Sequence, residues 1–165
     1  MIVALDVYYN DSEDCALAAC VGFHTFNDDQ PSFSKTIQMQ GLQPYISGLF
    51  WKRELPPLLE MTHSISETID LIIIDGYVTL GDRPGLGYYL WKALGEQISV
   101  IGVAKTFFQG ARAMEVIRGT SKKPLFVTSI GIDQTKAAEA IHQMHGSFRI
   151  PTLLKIVDHL SKKIN

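Results

Sequence analysis

The segment Leu71-Ile72-Ile73-Ile74-Asp75-Gly76 constrains this chain more than any other. Four consecutive large apolar side chains are satisfied only when both faces of the segment are covered. That describes a central strand of an α/β sheet rather than an edge strand or an amphipathic helix. The run then stops at a carboxylate and a glycine. An Asp at the carboxyl end of a central strand lies at the rim where open α/β sheets place their ligands. The functional question is which other residues reach that rim.

The flanking sequence supplies a sheet around this strand. Ile2 to Tyr8 reads as a buried first strand with one interruption, Asp6; Ala16 to Phe26 and Phe33 to Met39 read as the next two. The polar turns between them, Asn10 to Asp14 and Asn27 to Pro31, are short and imply an antiparallel meander. A glycine-flanked loop from Gly41 to Gly48 leads to a helix on which Leu55, Leu58, Leu59, Ile65 and Ile69 fall close to one stripe. Pro56 and Pro57 are tolerated in a first turn, so the spacing predicts a helix start near Arg53 to Leu55. Past Gly76, a loop carrying Gly81, Asp82, Pro84 and Gly85 precedes a helix over Leu86 to Leu94. Ser99 to Ala104 is another apolar strand, ending in Lys105. A polar connection over 107–123 leads to Leu125 to Ser129, a strand of the buried type, and helices follow over Gln134 to Met144 and Thr152 to Lys163. These elements predict an α/β domain over 1–165 with a mixed sheet, an antiparallel meander plus parallel strands, and helices on both faces. The element order resembles the ribonuclease H-like architecture.

Composition narrows the function classes. The chain has 165 residues, 46% of them hydrophobic and 19% charged, which suits a packed domain rather than a disordered segment. A net charge of −2 gives no bulk attraction to nucleic acid, though it leaves room for a local basic patch. No apolar run approaches the roughly 20 residues of a membrane span, and the amino terminus lacks a signal-peptide layout, so a cytoplasmic location with no membrane partner is expected. Cys15 and Cys20 are five apart in a strand, hence on opposite faces, and read as buried free thiols. His142 and His145 read as a surface pair, with no further soft ligand near them.

Three acids stand out by placement. Asp6 interrupts an apolar strand, Asp75 ends one, and Glu54 sits at a helix start beside a proline pair. A carboxylate in a core strand needs a cation, donors or a metal. Clustered carboxylates are stable together mainly with hard divalent cations between them, and such cations activate water and stabilise a phosphoryl leaving group. Lys105, ending the adjacent strand, would add fixed positive charge. Taken singly, each has an ordinary explanation: a strand-to-turn ending for Asp75, a turn cap for Asp6, a favourable helix-start charge for Glu54, a solvated surface for Lys105. Their joint position at strand ends favours a site. Basic residues gather in the carboxyl half (Arg112, Arg118, Lys122, Lys123, Arg149, Lys155, Lys162, Lys163), as a phosphate track or, for the last two, as plain solvated surface.

Several stretches, in order along the chain, resemble the successive motifs of the endonuclease V family. They are Asp6-Val7-Tyr8-Tyr9, Pro44-Tyr45-Ile46-Ser47-Gly48 through Arg53-Glu54-Leu55-Pro56, Asp75-Gly76, and Ile101-Gly102-Val103-Ala104-Lys105. Lys123-Pro124-Leu125-Phe126-Val127-Thr128-Ser129 and Arg149-Ile150-Pro151 continue the match. The resemblance implies a ribonuclease H-like fold and a Mg²⁺-dependent endonuclease, with Mn²⁺ as the alternative metal. Such an enzyme cuts DNA or RNA at the second phosphodiester bond 3′ of inosine. It implies that Asp6, Glu54 and Asp75 hold the metal and that Lys105 supports the phosphate chemistry. It further implies nucleic-acid contacts from Tyr45, Gly48, Arg83, Lys123 and Arg149, with Tyr45 a wedge beside a base turned into a pocket. A monomer is expected.

The chain departs from the family pattern at three places. Leu80-Gly81-Asp82-Arg83-Pro84 stands where a His-Pro-Arg segment is usual, keeping only the arginine. Ser129-Ile130-Gly131-Ile132-Asp133 stands where a histidine follows Ser-Pro-Gly, so Ile132 replaces that histidine and Asp133 is the candidate substitute. Ser47 replaces the proline after the wedge tyrosine. These changes bear on rate, second-metal binding and base specificity rather than on the carboxylates. They leave two alternatives: a non-catalytic nucleic-acid binder, and a nuclease for branched or mismatched DNA.

Overall fold

The computed structural model describes residues 1–41 and 51–163, together with the backbone of Phe50. The chain runs β1 (Ile2–Asn10), β2 (Cys15–Phe23), β3 (Phe33–Gln40), α1 (Phe50–His63), β4 (Leu71–Asp75), β5 (Thr79–Leu80), β6 (Arg83–Pro84) and α2 (Leu86–Ala93). It continues as β7 (Ser99–Ala104), β8 (Met114–Val116), β9 (Leu125–Ile130), α3 (Gln134–Gln143) and α4 (Thr152–Ser161). Among the described residues seven strands form one sheet in the order β3-β2-β1-β4-β7-β9-β8, and β5 and β6 form a separate hairpin. No helix among them is long and apolar enough to cross a membrane.

The four-residue apolar run behaves as its pattern predicts. Leu71 and Ile73 enter a core under α3 and α4, while Ile72 and Ile74 enter a second core under α1 and α2. β2 is buried along its whole length, and its small side chains let helices pack on both faces. Cys15 and Cys20 lie in it as free, buried thiols, and burial pushes the Cys20 thiol up to about 11. β1 pairs antiparallel with β2 and parallel with β4, and β4 pairs parallel with β7.

The sequence leaves the direction of the last strand open, and the structure decides it. β9 runs antiparallel to β7, with Val100 opposite Ile130 and Ala104 opposite Phe126. A parallel return needs a crossover, usually a helix. Residues 105–124 hold none; they add β8 outside β9, so the chain re-enters the sheet from the rim at which it left. One expectation is corrected, the start of α1. Pro56 and Pro57 lie inside it rather than in its first turn, and Ile65 and Ile69 lie beyond its end although they pack on the same core.

A side chain from β1 explains how α1 tolerates its prolines. Pro57 has no N–H to give the carbonyl four residues back, that of Arg53. The Tyr9 hydroxyl donates to that carbonyl at 3.0 Å instead. The Arg53 guanidinium, itself buried, lies 4.2 Å from the Tyr9 ring centroid and pairs with Asp11. Tyr9→Phe should therefore lower the unfolding free energy by about 1–2 kcal/mol, read by urea denaturation. In a Pro57→Ala background, where residue 57 regains its N–H, the same substitution should cost less; equal costs in both backgrounds would refute this account.

Candidate active site

The site is built from the β1–β4 register. Leu5 lies opposite Ile74 in the parallel pair, so the next residue on each strand, Asp6 and Asp75, come side by side at the carboxyl rim. α1 carries Glu54 over the same rim. All three carboxylates line one open cavity of about 460 Å³, walled by Trp51, Tyr77, Leu80, Pro84 and Leu86. Trp51 is stacked on Tyr89 with centroids 3.7 Å apart, which fixes the aromatic wall to α2. The Tyr77 hydroxyl donates to the Thr106 carbonyl at 2.7 Å and accepts from the Phe108 amide at 3.0 Å, tying the loops after β4 and β7 together.

Charge is unevenly compensated. Burial raises Glu54 from its ordinary 4.5 to about 8, the negative charges of Asp6 and Asp75 push the same way, and Arg53 opposes them. Burial likewise raises Asp6; the Ser161 hydroxyl, donating to its Oδ2 at 2.6 Å, works against that, and Asp75 and Asp158 reinforce it. Asp75 Oδ2 accepts from Lys105 Nζ at 2.7 Å, and the same ammonium reaches Asp158 Oδ1 at 2.9 Å. Partial burial disfavours the Lys105 charge, yet the two carboxylates outweigh it and hold the ammonium above its usual range. Lys162 Nζ bonds the other oxygen of Asp158 at 2.7 Å. Burial works against the Asp158 charge too, but these two lysines hold its carboxyl below the usual range.

Asp158 and Ser161, both on α4, are the residues that sequence reasoning missed. Their signal is faint: Leu153, Val157 and Ser161 are the buried stripe of α4, and a hydroxyl in the third place breaks an apolar pattern.

The other sequence-predicted residues separate into groups. Arg83 is exposed on β6, the hairpin whose Leu80 and Pro84 wall the cavity, and Lys123 is exposed just before β9 at the same rim. Arg149 is half-buried and lines a cleft beyond Lys105, and its Nη2 is engaged by the backbone, donating to the Lys105 carbonyl and, at 2.7 Å, to that of Pro124. It thus joins the end of β7 to the start of β9 and positions Lys105. Arg118 is withdrawn from any phosphate track, because it is buried and donates to the carbonyls of Ile141, Met144 and Gly146. Asp133 caps α3 by accepting from the Lys136 amide at 3.1 Å, and Ile132 packs on the core. Both follow the carboxyl end of antiparallel β9, at the opposite rim, so Asp133 does not stand in for a histidine at the site. Tyr45 and Gly48 lie outside the described residues.

Gly102 sets the floor. A Cβ built there would lie 2.6 Å from the Gly76 carbonyl oxygen and 2.8 Å from the Val78 nitrogen. That clearance lets the turn after Asp75 lie flat across β7, where the Val78 amide donates to Thr128 Oγ1 at 2.8 Å.

The family model for endonuclease V matches residues 1–128. The chain belongs to the endonuclease V family. It is 31% identical over 130 residues to endonuclease V of Rhodospirillum centenum, a stretch covering 66% of this chain and 54% of that protein. It is 27% identical to endonuclease V of Streptomyces avermitilis over 98% of this chain and 79% of the other. The chain thus spans about half the length of one of these relatives and about four fifths of the other. The crystal structure of the Streptomyces endonuclease V superposes with a TM-score of 0.80 at 25% identity, over 98% of this chain and 79% of that one. The Ciona intestinalis endonuclease V, solved with a 24mer DNA containing an inosine followed by a ribo-adenosine, superposes at 0.79 with 19% identity, over 98% and 84%. The fold is the ribonuclease H-like one that the element order predicts.

The acids at the rim supply oxygen donors. Among the described residues no three His, Cys, Asp or Glu side chains are drawn together tightly enough to enclose a metal. The chemistry of the donors nevertheless fits one kind of ion: Asp6, Glu54 and Asp75 bring carboxylates, and neither thiolate nor imidazole, to one cavity. That set suits a hard divalent cation.

The raised acids give a pH signature for the metal-free protein. A carboxyl group whose folded pKa exceeds its unfolded one binds more protons when folded, so stability falls as pH rises between the two values. Melting temperature should therefore drop between about pH 5 and pH 8, and Glu54→Gln should flatten that slope. An unchanged slope in the variant would show that Glu54 is not the titrating group.

Proposed function

We propose that this protein is a metal-dependent endonuclease that hydrolyses a phosphodiester bond in inosine-containing nucleic acid. The observation that carries the reading is the convergence of Asp6, Glu54 and Asp75 on one cavity, with the Lys105 ammonium bonded to Asp75. Family membership supports it, and the Ciona relative has been solved on inosine-containing DNA.

Asp6, Glu54 and Asp75 would hold Mg²⁺ or Mn²⁺. The bound ion would supply an activated water and neutralise charge on the phosphate. Lys105 contributes a second, fixed positive charge beside the developing oxyanion, and Arg149 and Asp158 keep that ammonium at the rim. The cavity walls are largely apolar and aromatic, which suits a base turned out of its stack. Tyr45 would fill the space that the base leaves, and Arg83 and Lys123 would meet phosphates along the strand.

The test is a nicking assay on matched inosine-containing DNA and RNA strands, with Mg²⁺ and with Mn²⁺. Cleavage should require either metal, disappear in Asp75→Ala, and fall about a hundredfold or more in Lys105→Ala. A wild-type protein that cuts neither strand with either metal would sink the reading.

A further inference from the structure

On the far side of Lys105 and Asp158 the rim opens into a second cleft of about 500 Å³, reaching Thr120, Ser121, Phe148 and Lys155. Lys105 and Asp158 therefore stand between two openings, and the chemistry assigned to the first leaves the second unused.

The conspicuous group in it is Phe148, whose relative exposure is 71%. Its backbone is held tightly. Arg118 donates to the carbonyls of Met144 and Gly146 at 2.6 and 2.8 Å, just upstream. The Thr152 amide donates to the His145 carbonyl at 2.9 Å, closing the loop from the other side. Gly119 presses on the same segment: its φ is +58°, and a Cβ there would lie 2.1 Å from the Ser147 carbonyl oxygen and 3.3 Å from Phe148 Cα. An aromatic ring turned to solvent on so fixed a backbone does nothing for packing, and it presents a flat face to a ligand.

A positive charge sits beside the ring. Lys155 Nζ lies 5.7 Å from its centroid, and Lys122 and Lys123 are exposed on the adjoining loop. The chain as a whole carries −2, so this concentration is local. An aromatic face beside the Lys155 ammonium, in a cleft that Thr120, Ser121 and Arg149 also line, matches a single nucleic-acid strand, in which bases offer π-faces and phosphates alternate with them.

We propose that this cleft takes the continuation of the substrate strand past Lys105, with one base stacked on Phe148 and the adjoining phosphates facing Lys155 and the Lys122-Lys123 pair. The proposal rests on the nuclease reading in taking nucleic acid as substrate. The strand would then lie across the carboxylates, anchored in both openings.

Binding tests it without requiring turnover. Anisotropy of a fluorescent single-stranded inosine oligonucleotide in EDTA gives the Kd of wild type, Phe148→Ala, Phe148→Trp and Lys155→Ala, with melting curves to verify folding. Phe148→Ala should weaken binding about fivefold or more, and Phe148→Trp should restore it. Lys155→Ala should weaken binding and reduce the slope of log Kd against log salt by about one. A Phe148→Ala Kd within about twofold of wild type, or a loss that Phe148→Trp does not recover, would overturn the proposal. If these shifts hold while the nicking assay fails, the strand site stands and the nuclease reading falls. The opposite pattern removes the strand site alone.

Discussion

The parallel pairing of β1 with β4 places two carboxylates next to each other at a half-buried rim, and much of the surrounding structure answers that placement. The pairing is held by apolar side chains that alternate between two cores, so the register is strongly specified. A slip of one residue would send every one of those side chains to the wrong face and separate the two acids. The Ser161 hydroxyl meets Asp6, and the Lys105 ammonium meets Asp75. Glu54, which meets no such donor among the described residues, is pushed toward its neutral form. The core thus fixes a local electrostatic cost at the point where a divalent cation would relieve it.

Arginine organises the rim more through backbone contacts than through exposed charge. Arg53, Arg118 and Arg149 each keep a buried Nε without a partner among the described residues, while their terminal nitrogens are engaged. Arg118 and Arg149 hold carbonyls at loop ends, and Arg53 lies on Tyr9 and pairs with Asp11. Arg149 shows how this affects chemistry. By joining the carbonyls of Lys105 and Pro124 it fixes the base of the side chain whose ammonium faces the carboxylates. Tyr9 plays a similar part for Glu54, since the helix bearing that acid runs through two prolines and one hydroxyl fills the vacancy that Pro57 leaves.

What the sequence made legible follows from where the signals lie. Asp6 and Asp75 were readable because an acid in or at the end of an apolar strand conflicts with its surroundings. Lys105 was readable because it ends the neighbouring strand. The antiparallel meander of β1 to β3 followed from the short turns between them. Other features depend on contacts between distant segments. Asp158 meets Lys105 across 53 positions, and Ser161 meets Asp6 across 155, so no local pattern announces either pair. The direction of β9 is not legible in the sequence because a buried strand looks the same in both orientations; only the course of residues 105–124 decides it. Asp133 was offered as a replacement ligand on adjacency alone, and the antiparallel register carries it to the other end of the sheet. Arg118 reads as a surface cation because charge does not reveal whether a guanidinium faces phosphate or backbone.

The flat seat of the Gly76–Val78 turn on Gly102 has a consequence for anyone wishing to retune the cavity. With 2.6 Å between a notional Cβ and the Gly76 oxygen, the floor has no slack, and even an alanine would lift the turn together with Asp75 beside it. Volume can be added or removed only from the walls, where Trp51, Leu80 and Pro84 end in side-chain atoms. The molecule therefore separates two kinds of adjustability, a rigid base shared with the reacting groups and a lip that can be recarved without disturbing them.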